Sequence, residues 1–295
     1  MVFAFLIRSI CSMKMNFAFF GTDDISVAVL DELKSAGLTP LLIVTQPDRP
    51  AGRHLKLSPP PTKVWAVENK IAFLQPEDLN DPNFTHTLKA VSYRLFIVAS
   101  YGFLIPKSIL DLPAQGVLNI HPSLLPKYRG PTPVRSAILE DDKKTGVTVM
   151  RMSEKMDAGP LLAQEAFTVD EWPQAPVLEK ELARQGARLL IKILPDYLMG
   201  RIAPTPQGDT RATFTRKLEK KDAEINLADD PRRNFLTIQA HAGSAPAFFF
   251  AERGEKKIRV SIKSAEFKNG KLTILRVVPE GRREMNYEEF LRGAR

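Results

Sequence analysis

Cysteine is almost absent: Cys11 is the single one in 295 residues. That excludes an internal disulfide framework and any zinc site built on several thiolates. It agrees with a reducing, cytoplasmic setting, which is the expected location. Histidine is nearly as scarce. The four histidines are scattered and none forms the paired spacing of a zinc site, so no metal is expected. There is no P-loop and no G-x-S-x-G elbow to present a hydrolase serine. Gly21 follows an apolar run, but "GTDDIS" lacks the further glycines of a dinucleotide fingerprint, and a lone glycine there serves the strand–helix turn. No internal repeat, low-complexity tract or bilayer-spanning apolar run is found. "MVFAFLIRSICSMKM" has neither a strongly basic start nor a small-x-small cleavage site. Residues 1–14 are therefore expected to be a disordered extension, with Met13 or Met15 as an alternative beginning.

What is present is ordinary in bulk. At 44% hydrophobic and 26% charged, the chain has the composition of a globular protein, long enough for one large domain or two smaller ones. The net charge of +8 is unevenly spread. Residues 205–295 carry 19 Lys+Arg against 13 Asp+Glu, whereas residues 1–204 carry 23 against 21. A basic carboxy-terminal part suits a polyanionic partner, because Lys and Arg displace the counterions of phosphates. A basic, merely solvated surface is the other reading.

Periodicity supplies the architecture. "MNFAFFG", "LTPLLIVT", "YRLFIVASYG", "GVLNIH" and "GVTVMRM" read as buried strands, with a further short strand near Ile71–Leu74 and another near Leu161–Val169. "DDISVAVLDELKSAG" reads as a helix, since Ile25, Val29, Leu30 and Leu33 recur at helical spacing. "TKVWAVENK", "VRSAILE" and a long segment from Val177 to Tyr197 complete the helices, and Gln46 to Pro61 is a proline-rich loop. Alternating strands and helices predict a parallel, doubly wound α/β sheet over residues 15–200. After a linker at 201–210 the pattern changes. "KIRVSIKSAEF" and "KLTILRVV", joined around "KNG", predict a small β-rich domain over 211–295, compatible with a barrel.

One strand ends unusually. In "VLNIHPSLLPKYRG", Asn119 and His121 stand two apart at the end of an apolar run, so both side chains point to one side. The carboxyl ends of strands are where open α/β sheets place ligands. "MRMSEKMDAGPLL" puts Asp157 between a strand and a glycine turn. Singly, these residues have plain structural readings as a strand-end hydrogen bonder, an edge cap and a turn residue. Together, an amide donor, an imidazole and a carboxylate make a usable proton-transfer set.

"NIHPSLLPKYRG" followed by "TGVTVMRMSEKMDAGPLL" resembles the active-site signature of enzymes that use 10-formyltetrahydrofolate. "FFGTDD", "VTQPDRPAGRHLKLSPPPTKVWAVE", "ATFTRKLEKKDAEINL" and "PEGRREMNYEEFLRG" narrow the resemblance to the methionyl-tRNA formyltransferase family, from about residue 15 onward. The chain departs from the family at His54 and at "IQAHAGSAPAFFF", and its second domain is short. The resemblance implies a Rossmann-like catalytic domain and an OB-like barrel that binds tRNA. It implies 10-formyltetrahydrofolate as co-substrate, methionyl initiator tRNA as acceptor, and a monomer. Asn119, His121 and Asp157 would be catalytic, with Asp157 either orienting His121 or acting directly as base. Ser123, Leu124, Leu125 and Pro126 would contact the folate, and Arg49, Arg53 and Lys56 the tRNA. A formyltransferase acting on a sugar nucleotide or other small amine, and an inactive nucleic-acid-binding relative, are the alternative readings.

Overall fold

The computed structural model describes residues 15–51, 56–243, 245–253 and 256–293. The expected extension at 1–14, Cys11, Arg53 and His54 lie outside the described residues. Contacts divide the chain into two compact units. The first holds the described residues up to Gly130, Gly146–Ala166 and Lys180–Phe214. The second holds Pro131–Thr145, Phe167–Glu179 and the described residues from Thr215 onward.

The first unit is built on a seven-stranded sheet of β1 (Phe17–Phe20), β2 (Leu42–Val44), β5 (Ala72–Leu74), β6 (Leu95–Val98), β7 (Val117–His121), β8 (Lys144–Arg151) and β9 (Leu161–Thr168), in the order β5-β2-β1-β6-β7-β8-β9. Pairings from β5 through β7 are parallel, and β8 runs antiparallel to β7. β1 and β6 are buried along their whole length, which explains why they read as unbroken apolar runs. Strand order reverses between β1 and β6, so the switch-point crevice lies one strand from β7.

Loops at that edge are tied together by side chains. Asp23 caps the helix Asp24–Ser35 by accepting from the Ile25 and Ser26 amides, and its other oxygen accepts from Ser100 Oγ at 2.6 Å. Thr22 Oγ1 and Gln46 Nε2 both donate to the Tyr101 carbonyl at 2.8 Å. Two described parts of the proline-rich stretch are strands. β3 (Arg49–Ala51) and β4 (Lys56–Ser58) pair antiparallel, and Pro50 is tolerated because a two-stranded ribbon is all edge. The helices Pro82–Lys89, Lys107–Leu110 and Pro231–His241 also escape the periodicity reading. The first of these buries only Phe84 and Leu88, and the second has a single turn.

The second unit contains an antiparallel sheet of β10 (Phe248–Arg253), β11 (Lys256–Lys268), β12 (Lys271–Pro279) and β13 (Met285–Asn286), in that order. The β11–β12 hairpin turns on Asn269 and Gly270, both at positive φ (52° and 74°). Two left-handed residues in a row are what a type I′ turn requires, so "KNG" fixed this register locally. Val260, Ile262, Val277, Phe249, Ile238 and Phe290 form the core on one face.

A polar knot also holds this unit. Asp141 accepts from Arg232 at 2.6 and 3.0 Å and from Trp172 Nε1 at 2.7 Å. Hydrogen bonds from the Arg232 guanidinium, and then from Trp172 and Lys143, outweigh burial and hold the Asp141 carboxyl down to about 2, against an ordinary 3.8. A depressed folded-state value means stability that is complete above about pH 4 and is lost as pH falls toward 2. Asp141→Asn is therefore expected to lower Tm at neutral pH. The gap to the parent chain should shrink as melts are repeated from pH 4 to 2, and a gap independent of pH would contradict this.

Candidate active site

β7 is buried at all five positions and delivers Asn119 and His121 to its carboxyl end. His121 is 4% exposed. Its Nε2 lies 3.1 Å from the Tyr128 carbonyl. A carbonyl only accepts, so Nε2 carries the proton and Nδ1 is the nitrogen presented to Asp157. Nδ1 stands 3.7 Å from Asp157 Oδ2, so a hydrogen bond between them requires a second proton on the ring as well as a sub-ångström movement. The same Oδ2 accepts the Gly130 amide at 2.8 Å. Asp157 holds a left-handed backbone (φ 48°), as does Tyr128 (φ 61°). Non-glycine residues in that region are costly, and they concentrate where a loop is fixed for a functional reason.

Asn119 is also buried, at 9% exposure. Among the described residues its side-chain amide has no hydrogen-bond partner. At a strand end two residues from His121, its N–H is left available to donate to a ligand. The expected trio is thus brought to one place, with His121 and Asp157 in direct register.

The segment behind β7 is stiffened rather than loose. Ser123 Oγ donates to the Lys127 carbonyl at 2.7 Å, Thr148 Oγ1 donates to the Ser123 carbonyl at 2.6 Å, and Gln164 Nε2 donates to the Leu125 carbonyl at 2.8 Å. Ser123 and Leu125 are buried, whereas Leu124 and Pro126 are half-buried. Of the expected tRNA residues, Arg49 lies on β3 with its side chain 61% exposed and paired loosely with Glu77 at 3.7 Å, and Lys56 is exposed on β4. The base of this ribbon is pinned by Asp48, which accepts from Gln75 and Lys63 at 2.7 and 2.8 Å. Hydrogen bonds from Gln75 and then Lys63 lower the Asp48 carboxyl below its ordinary value.

Two residues at the site were missed by the sequence reading. Arg129 sits in the quoted "KYRG", and Gln207 sits in what reads as a linker. Arg129 donates through Nε and Nη2 to Gln207 Oε1, and Gln207 Nε2 donates to the carbonyls of Asp157 and Gly159. No group of three or more metal-capable side chains occurs among the described residues, and none of their helices is long and apolar enough to cross a membrane.

A donor amide, an imidazole and a carboxylate thus meet at the carboxyl edge of an α/β sheet, and the sequence profile described as formyl transferase matches residues 13–194, so the chain belongs to the formyl transferase family. Within it, the similarity is to methionyl-tRNA formyltransferases. That of Chloroflexus aurantiacus is 46% identical over 212 residues, covering 72% of this chain and 68% of the relative. That of Herpetosiphon aurantiacus is 36% identical over 309 residues, covering 95% and 98%. Among solved structures, the methionyl-tRNA formyltransferase from Clostridium thermocellum superposes with a TM-score of 0.60 over 92% of this chain and 99% of that one. Its 16% identity makes that a likeness of fold.

Proposed function

We propose that this chain transfers the formyl group of 10-formyltetrahydrofolate to the α-amino group of methionyl initiator tRNA. The single observation that carries the chemistry is that Asn119 and His121 share one buried strand end and the Asp157 carboxylate stands 3.7 Å from the His121 ring. The amine nitrogen bonds to the formyl carbon, the carbon–N10 bond breaks, and one proton passes from the amine to N10. Between these events the formyl oxygen carries negative charge. The Asn119 N–H is the group placed to receive it, and protonated His121 adds positive charge nearby. Asp157 holds that imidazolium and takes protons from the amine, through water or directly. The half-buried Leu124 and Pro126, carried on the hydrogen-bonded Ser123–Pro126 segment, supply a stiff apolar wall for the pterin, with little ordering cost.

The acceptor assignment draws on the relatives' names and on charge. Arg49 and Lys56 present cations on the β3–β4 ribbon for the acceptor end, and Arg53, outside the described residues, is assigned to the same contact by its place in the sequence. In the second unit the exposed Lys257 places Nζ 4.9 Å from the ring centroid of the exposed Phe250. Such cation–aromatic strand surfaces hold nucleic acid by phosphate attraction and base stacking, without sequence readout.

The deciding experiment incubates the purified chain with 10-formyltetrahydrofolate and either methionyl initiator tRNA or amino-sugar nucleotides. Formylmethionyl-tRNA is the expected product. Formylation of the small amine alone would replace this acceptor with the other.

A further inference from the structure

Among the described residues the His121 imidazole has two polar partners, the Tyr128 carbonyl at Nε2 and the Asp157 carboxylate at Nδ1. Each neighbour sits in a left-handed loop position that strand pairing does not fix. Both are held by a third segment, residues 207–214, which follows the long helix Ala175–Leu198 and lies beyond the 13–194 family match. Thr213 Oγ1 accepts the Tyr128 amide at 2.8 Å, the Thr213 carbonyl accepts the Arg129 amide at 2.9 Å, and the Thr213 amide donates to the Pro126 carbonyl at 3.2 Å. Gln207 Nε2 donates to the Asp157 carbonyl at 2.9 Å and to the Gly159 carbonyl at 2.7 Å.

Arg129 links the two grips. Its side chain is 5% exposed, and its charge is met by Asp209 at 2.9 Å together with the Gln207 oxygen at 3.1 and 2.9 Å. A buried guanidinium must be hydrogen-bonded, so Arg129 and Gln207 lock each other's orientation. The amide of Gln207 is thereby turned so that its oxygen faces the cation and both its hydrogens face the Asp157 loop. No other assignment satisfies all four bonds.

We infer that Gln207 is a positioning residue for the formyl transfer, holding the Asp157 loop at its working distance from His121, with Arg129 fixing Gln207 and Thr213 fixing Tyr128 in the same way. The catalytic unit therefore extends through Phe214, and the stretch that reads as a linker completes the site. This inference rests on the catalytic reading of Asn119, His121 and Asp157 given above.

The test uses the full chain and two substitutions. Gln207→Leu removes both arms of the amide. Gln207→Glu keeps the acceptor for Arg129 and replaces the donor with a carboxylate facing two carbonyls, so the fold keeps its Arg129 anchor. Amide hydrogen exchange, read by mass spectrometry on peptides spanning Gly130 and Asp157, should be about tenfold or more faster in both variants. Turnover should fall about 10- to 100-fold, since a displacement of about 1 Å costs that much, with KM for both substrates within about twofold. In an Asp157→Asn background the same substitutions should cost less than about twofold more, because the two residues act as one. Unchanged exchange, near-full activity of Gln207→Glu, or an additive loss on Asp157→Asn would each overturn the inference. If the parent chain makes no formylmethionyl-tRNA, the functional reading falls, and the exchange comparison alone decides whether Gln207 braces the loop.

Discussion

Asn119→Ala should lower turnover about 10²- to 10³-fold while leaving affinity for methionyl-tRNA nearly unchanged, the loss expected when one oxyanion donor is removed. The reason for separating rate from binding is visible in the site. The Asn119 amide has no partner among the described residues, so removing it breaks no bond that supports the fold. His121→Ala should slow turnover by about 10²- to 10⁴-fold, the range for a positioned acid–base group. It also leaves the Tyr128 carbonyl without its donor and opens a space beside a buried strand, so a fall in Tm is expected with it. Asn119→Asp is the sharper test. It keeps the shape of the side chain and replaces the donor with a negative acceptor, so it should be at least as slow as the alanine variant. Single-turnover rates beside filter-binding of charged tRNA separate the two effects. Equal loss of rate and binding would assign Asn119 and His121 a structural role instead.

How much of this was legible depends on where each contact lies along the chain. β7 was readable because Val117, Leu118 and Ile120 mark a strand buried on both faces, and a period of two fixes which side Asn119 and His121 share. The β11–β12 hairpin was readable because Asn269-Gly270 determines its own turn. Asp157 was legible as a candidate, but its approach to His121 was not. That distance depends on Gly130, Gln207 and a left-handed backbone, none of which a local pattern predicts. Arg129 and Gln207 are 78 residues apart, and each looks ordinary alone, as a basic loop residue and a polar linker residue. The helix Pro82–Lys89 had its signals in plain view, with Asp81 as N-cap and Pro82 in the first turn. Two buried apolar residues are too few to reveal a period. The β3–β4 ribbon was hidden by Pro50, which argues against a strand everywhere except at an edge.

Gly159→Ala should disable turnover although Gly159 brings no side chain to the site. Gly159 lies two residues after Asp157, where the chain turns back against the end of β8. A Cβ there would overlap the Arg151 carbonyl oxygen and lie 3.0 Å from the Arg151 carbonyl carbon and 3.3 Å from that of Met152. These are backbone atoms, so no rotamer change relieves the overlap. The loop must move away from β8, and the Arg151 amide to Pro160 carbonyl bond at 2.9 Å must stretch or break. Overpacking of this kind costs about 1–3 kcal/mol in stability. The larger effect falls on chemistry. The Gly159 carbonyl is one of the two that Gln207 grips, so the shift reaches Asp157 directly. A displacement of about 1 Å is expected to reduce turnover about 100-fold. Gly208→Ala is the control, since Gly208 has an ordinary φ of −82° and nothing within 4 Å of an added Cβ. Calorimetry and turnover on the two variants should separate completely, with Gly208→Ala close to the parent chain in both. If Gly159→Ala melts lower but turns over normally, the position of the Asp157 loop is not what limits formyl transfer.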